Sequence, residues 1–341
     1  MAKYLIIDVA NSFFRAMHVT SRASSLEEKV AFSLHLTLNG IHAAWCDNSA
    51  THLVLAEEGR SWRKDFYPPY KANRAVKRAT STVKEQEELK ISLEALSDLL
   101  TLFREKTNVT VLQHPRLEAD DLIAGWIQHH PNDEHLIYSS DTDFHQLLAN
   151  NVHQYDGVAQ ELHTINGILN YKGQLVIDKK TKLPKTIPDP EYILFEKIVR
   201  GDPTDNIFSA YPGVRSNGTK TKTGIKEAFA DRKTKGFDFN NFMLQRWVDH
   251  NNVEHKVYDD FQRNKILIDL SAQPTDIRAI IDETVKNVTA KHMPMIGVHF
   301  LKFCGKYALL KISENSANFG IMLNSSYQPV RSILNESSEG N

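Results

Sequence analysis

Four short apolar runs mark the first half of the chain: Tyr4-Leu-Ile-Ile7, His52-Leu-Val-Leu55, Val109-Thr-Val-Leu112 and His135-Leu-Ile-Tyr138. They are β-prone and lack apolar/polar alternation, which predicts strands buried on both faces of a parallel sheet. Longer stretches between them carry helical spacing. One is 26–46, with Val30, Phe32, Leu34, Leu36, Ile41 and Trp45. A second is 83–106, with Leu89, Leu93, Leu96, Leu99, Leu100 and Phe103 toward a core. A third follows Leu117, with Leu122, Ile123, Trp126 and Ile127 facing inward. The alternation β-α-β-α-β-α-β predicts an α/β fold with a parallel central sheet flanked by helices and right-handed crossovers.

The pattern changes after residue 150. Leu169–Ile177 reads as a hairpin turning at Lys172-Gly173. Lys179–Pro188 is basic and proline-punctuated, an exposed connection. Asp189 and Pro190 open a helix over Tyr192–Val199, with Asp189 as N-cap. From there to about 323 the chain reads as helical, with Phe261, Ile266, Ile268, Leu270, Ile277 and Ile281 as core positions. The expected division is 1–190 as an α/β domain, 191–323 as a helical domain, and 324–341, rich in Ser, Asn and Glu, as a disordered tail.

Composition is that of an ordinary globular protein, with 341 residues, 41% hydrophobic and 24% charged, and no apolar run of membrane-spanning length. The N-terminus reaches Asp8 too early for a signal peptide, and two cysteines outside any ligand spacing, Cys46 and Cys304, suggest a reducing, cytoplasmic setting. The net charge of −1 hides a segregation. Arg60–Lys84 holds eight basic residues against Asp65, and Arg215–Lys235 holds seven against Glu227 and Asp231. In the first block, Tyr67-Pro-Pro-Tyr-Lys-Ala-Asn-Arg-Ala-Val-Lys-Arg78 mixes aromatic and basic side chains, suited to gripping exposed nucleic acid. In the second, a glycine-rich loop feeds a basic helix start, where backbone N–H groups with Lys220, Lys222 and Lys226 suit a phosphate.

Acids collect where the predicted strands end: Asp8, Glu57/Glu58, Glu118-Ala-Asp-Asp121 and Asp141-Thr-Asp143, with Asp202 and Asp205 following the later helix. In parallel sheets the functional crevice lies outside the carboxyl ends of the strands. Three carboxylates in one helical turn exceed what the helix dipole needs and repel one another unless a cation intervenes. Carboxylate oxygens select Mg²⁺ or Mn²⁺, and nine candidate acids exceed the needs of one ion. Two ions about 4 Å apart suit in-line phosphoryl displacement. There is no Walker A motif, no nucleophile triad and no zinc spacing; His145 reads as a solvent-facing histidine.

Five segments in order then resemble the flap endonuclease/5′→3′ exonuclease family, most closely its phage (T-even-like) ribonuclease H branch. They are Ile6–Arg15, Trp62–Arg74, Glu118–Asp121, Ser139–Phe144 and Gly201–Asn206. The resemblance implies a PIN-like, resolvase-like core with a helical arch over about 60–106 and a helix-hairpin-helix-like element at 211–224. It implies two Mg²⁺ ions, with Mn²⁺ able to substitute. Asp8, Glu118, Asp120 and Asp121 would hold one ion; Asp141, Asp143, Asp202 and Asp205 would hold the other. Lys71 and Arg74 would be catalytic, and Arg63, Tyr70, Lys71, Arg74, Lys77 and Arg78 would contact nucleic acid, as would Lys220, Lys222 and Lys226. The implied substrate is a DNA or RNA–DNA duplex with a 5′ flap, nick or fork in a phage-infected bacterial cell. A single-stranded-DNA-binding protein is the implied partner of an expected monomer. The sequence departs from the family where an Asp usually follows the second strand: Ala56 stands there, leaving Glu57 or Glu58, with Glu58 better placed to serve. The loop also lacks a repeated Gly-x-Gly, which speaks against a potassium site. Two other readings stay open, a PIN-type RNA nuclease and a catalytically impaired DNA-binding homologue.

Overall fold

The computed structural model of the chain describes residues 1–20 and 25–328. In chain order the elements begin β1 (Lys3–Asp8), α1 (Val9–Val19), α2 (Leu26–Asp47), β2 (His52–Ala56), α3 (Arg63–Phe66), α4 (Ala72–Ala79), α5 (Val83–Lys106), β3 (Thr110–Leu112), α6 (Ala119–His129) and β4 (Glu134–Tyr138). A 3₁₀ turn, Thr142–Leu147, leads to β5 (Val152–Asp156), β6 (Glu161–Thr164), β7 (Gly167–Asn170), α7 (Pro190–Arg200) and α8 (Ile225–Asp231). Then come α9 (Phe237–Met243), β8 (Arg246–Val248), β9 (Glu254–Lys256), α10 (Val257–Ile268), α11 (Thr275–Lys286), α12 (Ile296–Lys306), α13 (Leu310–Glu314) and α14 (Gly320–Leu323).

The seven-stranded sheet runs β3-β2-β1-β4-β5-β6-β7. Strands β1 to β5 pair in parallel, and β6 and β7 add an antiparallel edge. The chain winds outward in one direction from β1 to β3 and in the other from β4, so the topological switch lies between β1 and β4. Alternate residues of β1 serve opposite faces. Leu5 and Ile7 pack with Leu53, Leu55, Leu136 and helices α2, α5 and α12. Tyr4 and Ile6 pack with Val54, Ala56, Ile137 and helices α6 and α11.

Residues 191–323 do not pack as one unit, contrary to the expected division. Phe195, Val199, Ala228, Phe242, Val257 and Phe261 form a lobe of their own, which Tyr70 joins. The chain then returns to the sheet. Leu270, Ile277, Ile281 and Val285 pack under one face, and Ile296, Phe300, Phe303 and Met322 under the other. The expected disorder at 324–341 does not hold for its first residues: Tyr327 lies against Trp126 and bonds His130 at 2.9 Å. Positions 329–341 lie outside the described residues.

Other expectations also shift. Phe32 on α2 is exposed, and so are Leu89 and Leu93, because the first half of α5 projects away from the core that Leu96, Leu99, Leu100 and Phe103 enter. Strands β5, β6, β8 and β9 had no apolar run to announce them. Among the described residues no helix is long and apolar enough to cross a membrane.

Candidate active site

Asp8 ends β1 and caps α1, accepting the Asn11 N–H at 3.1 Å. Asp141 follows β4 across the switch point and accepts the Asp143 N–H at 2.9 Å. Burial, followed by the charges of Glu58 and Asp141, pushes the Asp8 carboxyl up to about 7, although the Asn11 bond opposes it. Asp120, in the first turn of α6, is pushed well above the carboxylate range by burial and then by Asp8, Glu58, Glu118 and Asp141. Of the Glu57/Glu58 pair, Glu57 is held away by Arg104 at 2.8 Å and Gln113 at 3.0 Å. Glu58 accepts the Ala119 N–H at 3.0 Å and is raised by burial and by Glu118. The sheet thus gathers Asp8, Glu58, Asp120 and Asp141 into one crowded group.

Opposite stands a second group. Asp143 and Asp202 share Lys197, which pairs with Asp143 and lies 2.9 Å from Asp202. Gly201 adopts φ +70, and a Cβ there would meet the Ile207 carbonyl oxygen at 2.4 Å, so only glycine turns α7 into this acidic loop. Asp205 accepts from Arg74 at 2.8 Å and from the Tyr70 hydroxyl at 3.0 Å. Arg63, Tyr70, Asp120, Asp143, Lys197, Asp202 and Asp205 line one crevice, of which about 20 Å³ stays open between the side chains.

A third group is built differently. Arg63, 2% exposed, donates to Asp121 at 2.8 and 2.9 Å, to Glu118 at 2.9 Å and to the Leu267 carbonyl at 2.8 Å. Trp62 Nε1 and the Glu118 N–H also donate to Asp121, at 3.1 and 3.2 Å. Glu118 takes further bonds from Ser61 at 2.7 Å, from Tyr70 at 2.9 Å and from Lys71. Burial opposes ionisation of Glu118, but Arg63 and Lys71 outweigh it and hold the group at about 2.

Four expectations therefore need correction. Asp121 is fully buried with its oxygens occupied by Arg63 and Trp62, so it is no metal ligand here. Arg63 is a buried counter-ion and cannot reach nucleic acid. Tyr70, 4% exposed, spends its hydroxyl on two carboxylates and offers no face for stacking on a base. His145 is not solvent-facing: it bonds His163 at 2.9 Å, and burial, then His163, lowers it to about 4.

The remaining residues lie at the surface or the crevice edge. Lys71 and Arg74 border the crevice, while Lys77 and Arg78 stand exposed on α4. Lys220, Lys222 and Lys226 are exposed around the start of α8. There, however, the Gly218 and Gly224 N–H groups already donate to Glu227, at 2.9 and 3.1 Å, so these two amides are not free as the sequence suggested.

Lys197 was not anticipated. Its signal was a lone cation on the otherwise apolar face of α7, about one turn before Gly201-Asp202. As the side chains stand, among the described residues no three histidine, cysteine or carboxylate groups are arranged to hold a metal ion. The donor set nevertheless fits a hard divalent cation: it is all oxygen, Asp8 and Asp120 are raised by burial and then by neighbouring carboxylates, and Lys71 and Lys197 sit where positive charge is needed.

Residues 3–179 match the family model described as 5′-3′ exonuclease, N-terminal resolvase-like domain. The chain is 30% identical over 180 residues to DNA polymerase I of Mycobacterium bovis, covering 51% of this chain and 17% of that protein. It is 28% identical over 191 residues to DNA polymerase I of Rhizobium leguminosarum, covering 54% and 16%. The matched stretch thus spans about a sixth of those relatives' length. Among solved structures the chain is similar to the bacteriophage T5 5′-exonuclease with bound divalent metal ions (zinc), with a TM-score of 0.58, 20% identity, and 83% of this chain and 98% of that one covered. It is also similar to the T5 flap endonuclease in a pseudo-enzyme–product complex with DNA and metal ions, with a TM-score of 0.54, 19% identity and the same coverage. These two likenesses establish the shared fold.

Proposed function

The chain belongs to the 5′-3′ exonuclease family through its N-terminal resolvase-like domain, and from that premise we propose that it is a divalent-metal-dependent, structure-specific 5′→3′ nuclease. It hydrolyses phosphodiesters to remove RNA primers or 5′ flaps, with ribonuclease H-type activity, during DNA replication. The observation that carries this reading is the convergence of Asp8, Asp120 and Asp141 at the switch point of the sheet, facing Asp143, Asp202 and Asp205 across one crevice.

Asp8, Asp120 and Asp141, with Glu58 beside them, would hold one Mg²⁺, and Asp143, Asp202 and Asp205 the other; Mn²⁺ would substitute. Bound there, such ions lower the pKa of water and neutralise charge developing on a phosphate. The chain's own residues supply the positioning. Arg63 fixes Glu118 from behind the crevice. Lys71 and Arg74 stand at the base of the arch, within reach of a phosphate once they leave their carboxylates. Lys197 offers a third cation on the opposite wall. Lys220, Lys222 and Lys226 grip the duplex backbone without reading sequence.

The test is a 5′-labelled flap and an RNA-primed duplex, each with Mg²⁺ and with EDTA. Short products released from the 5′ end with Mg²⁺ alone support the reading, and no cleavage of either substrate sinks it. Ala56 at the end of β2 favours the second reading, a binding homologue with impaired catalysis, which the same assay would reveal as flap binding without products.

A further inference from the structure

The loop that carries Asp141 and Asp143 begins where the sheet stops holding β4. The ladders from β4 to β1 and to β5 both end at Tyr138, so the peptide groups that follow need other partners. Side chains supply them. The Ser140 hydroxyl donates to Asn11 of α1 at 3.1 Å, and the Ser139 hydroxyl accepts the Asp141 N–H at 3.2 Å. Gln146 donates to the Asp143 carbonyl at 3.0 Å while its Oε1 accepts the Leu270 N–H at 3.0 Å. One brace reaches the loop from inside the core. Gln154 of β5, 0% exposed, donates its Nε2 to the Ser139 carbonyl at 2.8 Å and to the Asp141 carbonyl at 2.7 Å.

An amide is out of place there by packing alone. Gln154 stands beside Ile137 in the ladder and shares a sheet face with Val152, and both of those pack in the apolar cluster that holds Phe144. Its orientation is forced, because the flipped amide would set Oε1 against two carbonyl oxygens. As oriented, Oε1 meets no donor among the described residues. A methionine would fill the same space without that buried, unpaired oxygen, so the function of glutamine here lies in its two N–H bonds. Those bonds flank Ser140 and fix the peptide on either side of it. The second falls on Asp141 itself and holds the backbone from which its carboxylate reaches the neighbourhood of Asp8 and Asp120. Charge matters as well as shape. A lysine donating from this place would compete with a metal for Asp141, and a glutamate would oppose both carbonyl oxygens.

We propose that Gln154 is a positioning residue for the nuclease reaction: from the core it holds the Ser139–Asp141 backbone so that Asp141, with Asp8 and Asp120, is set to take a divalent cation. It acts through that backbone and contacts neither cation nor substrate. The inference rests on the nuclease reading and deepens it. Groups that brace a metal-binding side chain from behind typically change metal affinity or activity about 10–100-fold when removed.

The test measures Mn²⁺ binding to the full chain by loss of the free-ion electron paramagnetic resonance signal, beside single-turnover cleavage of a 5′-flap duplex across Mg²⁺ concentrations. Gln154→Met keeps the volume and removes both donors. Val152→Ala, on the same strand and face, weakens the fold without touching the loop. Gln154→Met is expected to weaken Mn²⁺ binding about 10-fold and to raise the Mg²⁺ concentration for half-maximal cleavage by a similar factor, while saturating Mg²⁺ restores most of the rate. Val152→Ala is expected to lower the melting temperature and keep the parental Mn²⁺ affinity. Gln154→Asn, which withdraws the amide by one methylene, is expected to fall between the parent and Gln154→Met, and it carries the comparison if Gln154→Met does not fold. Parental Mn²⁺ affinity and Mg²⁺ dependence in the glutamine variants that fold overturn the assignment and leave the nuclease reading standing. An equal loss of Mn²⁺ affinity in Val152→Ala, at a matched fall in melting temperature, also overturns it, by reducing Gln154 to a part of the packing. A parent chain that neither binds Mn²⁺ nor cleaves the flap overturns the nuclease reading, and the assignment with it.

Discussion

Glu118 and Asp121 look like Asp141 and Asp143 as sequence, acids just past a strand-like run, yet the structure neutralises the two pairs differently. The first is locked by Arg63, whose planar fork reaches both carboxylates from inside the protein. The second meets a lysine, a flexible point charge on the crevice wall. A buried arginine is a permanent counter-ion, whereas a lysine at the edge of a crevice can yield to another cation. Glu118 and Asp121 therefore belong to the scaffold, while Asp120 between them lines the crevice together with Asp143.

The comparison can be broken in order of expected effect. Replacing both Asp141 and Asp143 by Asn should lower flap cleavage on the order of 10³-fold or more, since metal-derived stabilisation is worth several kcal/mol. The fold and Ca²⁺-supported flap binding should persist. Unchanged cleavage in a single-turnover assay would remove this pair from the reaction. Next, Arg63→Met should cost about 3–5 kcal/mol, because it strands two buried carboxylates, and should lower the melting temperature by roughly 10 °C. A melting curve like the parent's would show that Arg63 is not the lock.

The smallest effect concerns pH, and its sign differs between Asp8 in the crevice and Glu118 in the scaffold. Asp8 has a folded-state pKa raised from 3.8 to about 7. Its contribution is intact below the unfolded pKa and is lost as pH rises through the folded one, so in EDTA it penalises stability at pH 8 and little at pH 4. Asp8→Asn should therefore raise the melting temperature by about 2–4 °C at pH 8 and leave it nearly unchanged at pH 4. An equal shift at both values would contradict the burial argument. Glu118, held at about 2, works in the opposite sense and loses its stabilisation as pH falls toward 2.

Much of the fold was legible because it is written locally. The continuous apolar runs around Leu5, Leu53 and Leu136 announced the buried strands, and the acids after them marked the crevice end. Other features were hidden because they depend on what the chain meets at a distance. Arg63 sits in a basic block that reads as a nucleic-acid contact, and only packing against residues 55 and 58 positions away makes it a buried counter-ion. Lys197 lies in a helix read from its N-cap alone. Val152–Asp156 and Arg246–Val248 become strands by pairing with neighbours, without the apolar pattern that betrays a central strand. The return of residues 270–323 to the sheet is likewise a long-range fact that no polar linker announces.

Tyr70 and Lys71 have a mechanical consequence. Through side-chain contacts alone this dipeptide clasps Glu118 on the sheet body and Asp205 on the lobe, and the Lys71 backbone N–H adds a bond to the Asp205 carbonyl at 2.8 Å. It is a rivet through three plates: the arch, the body and the lobe. A force that draws the arch outward loosens both jaws of the crevice together, so the arch and the jaws have one shared latch rather than two.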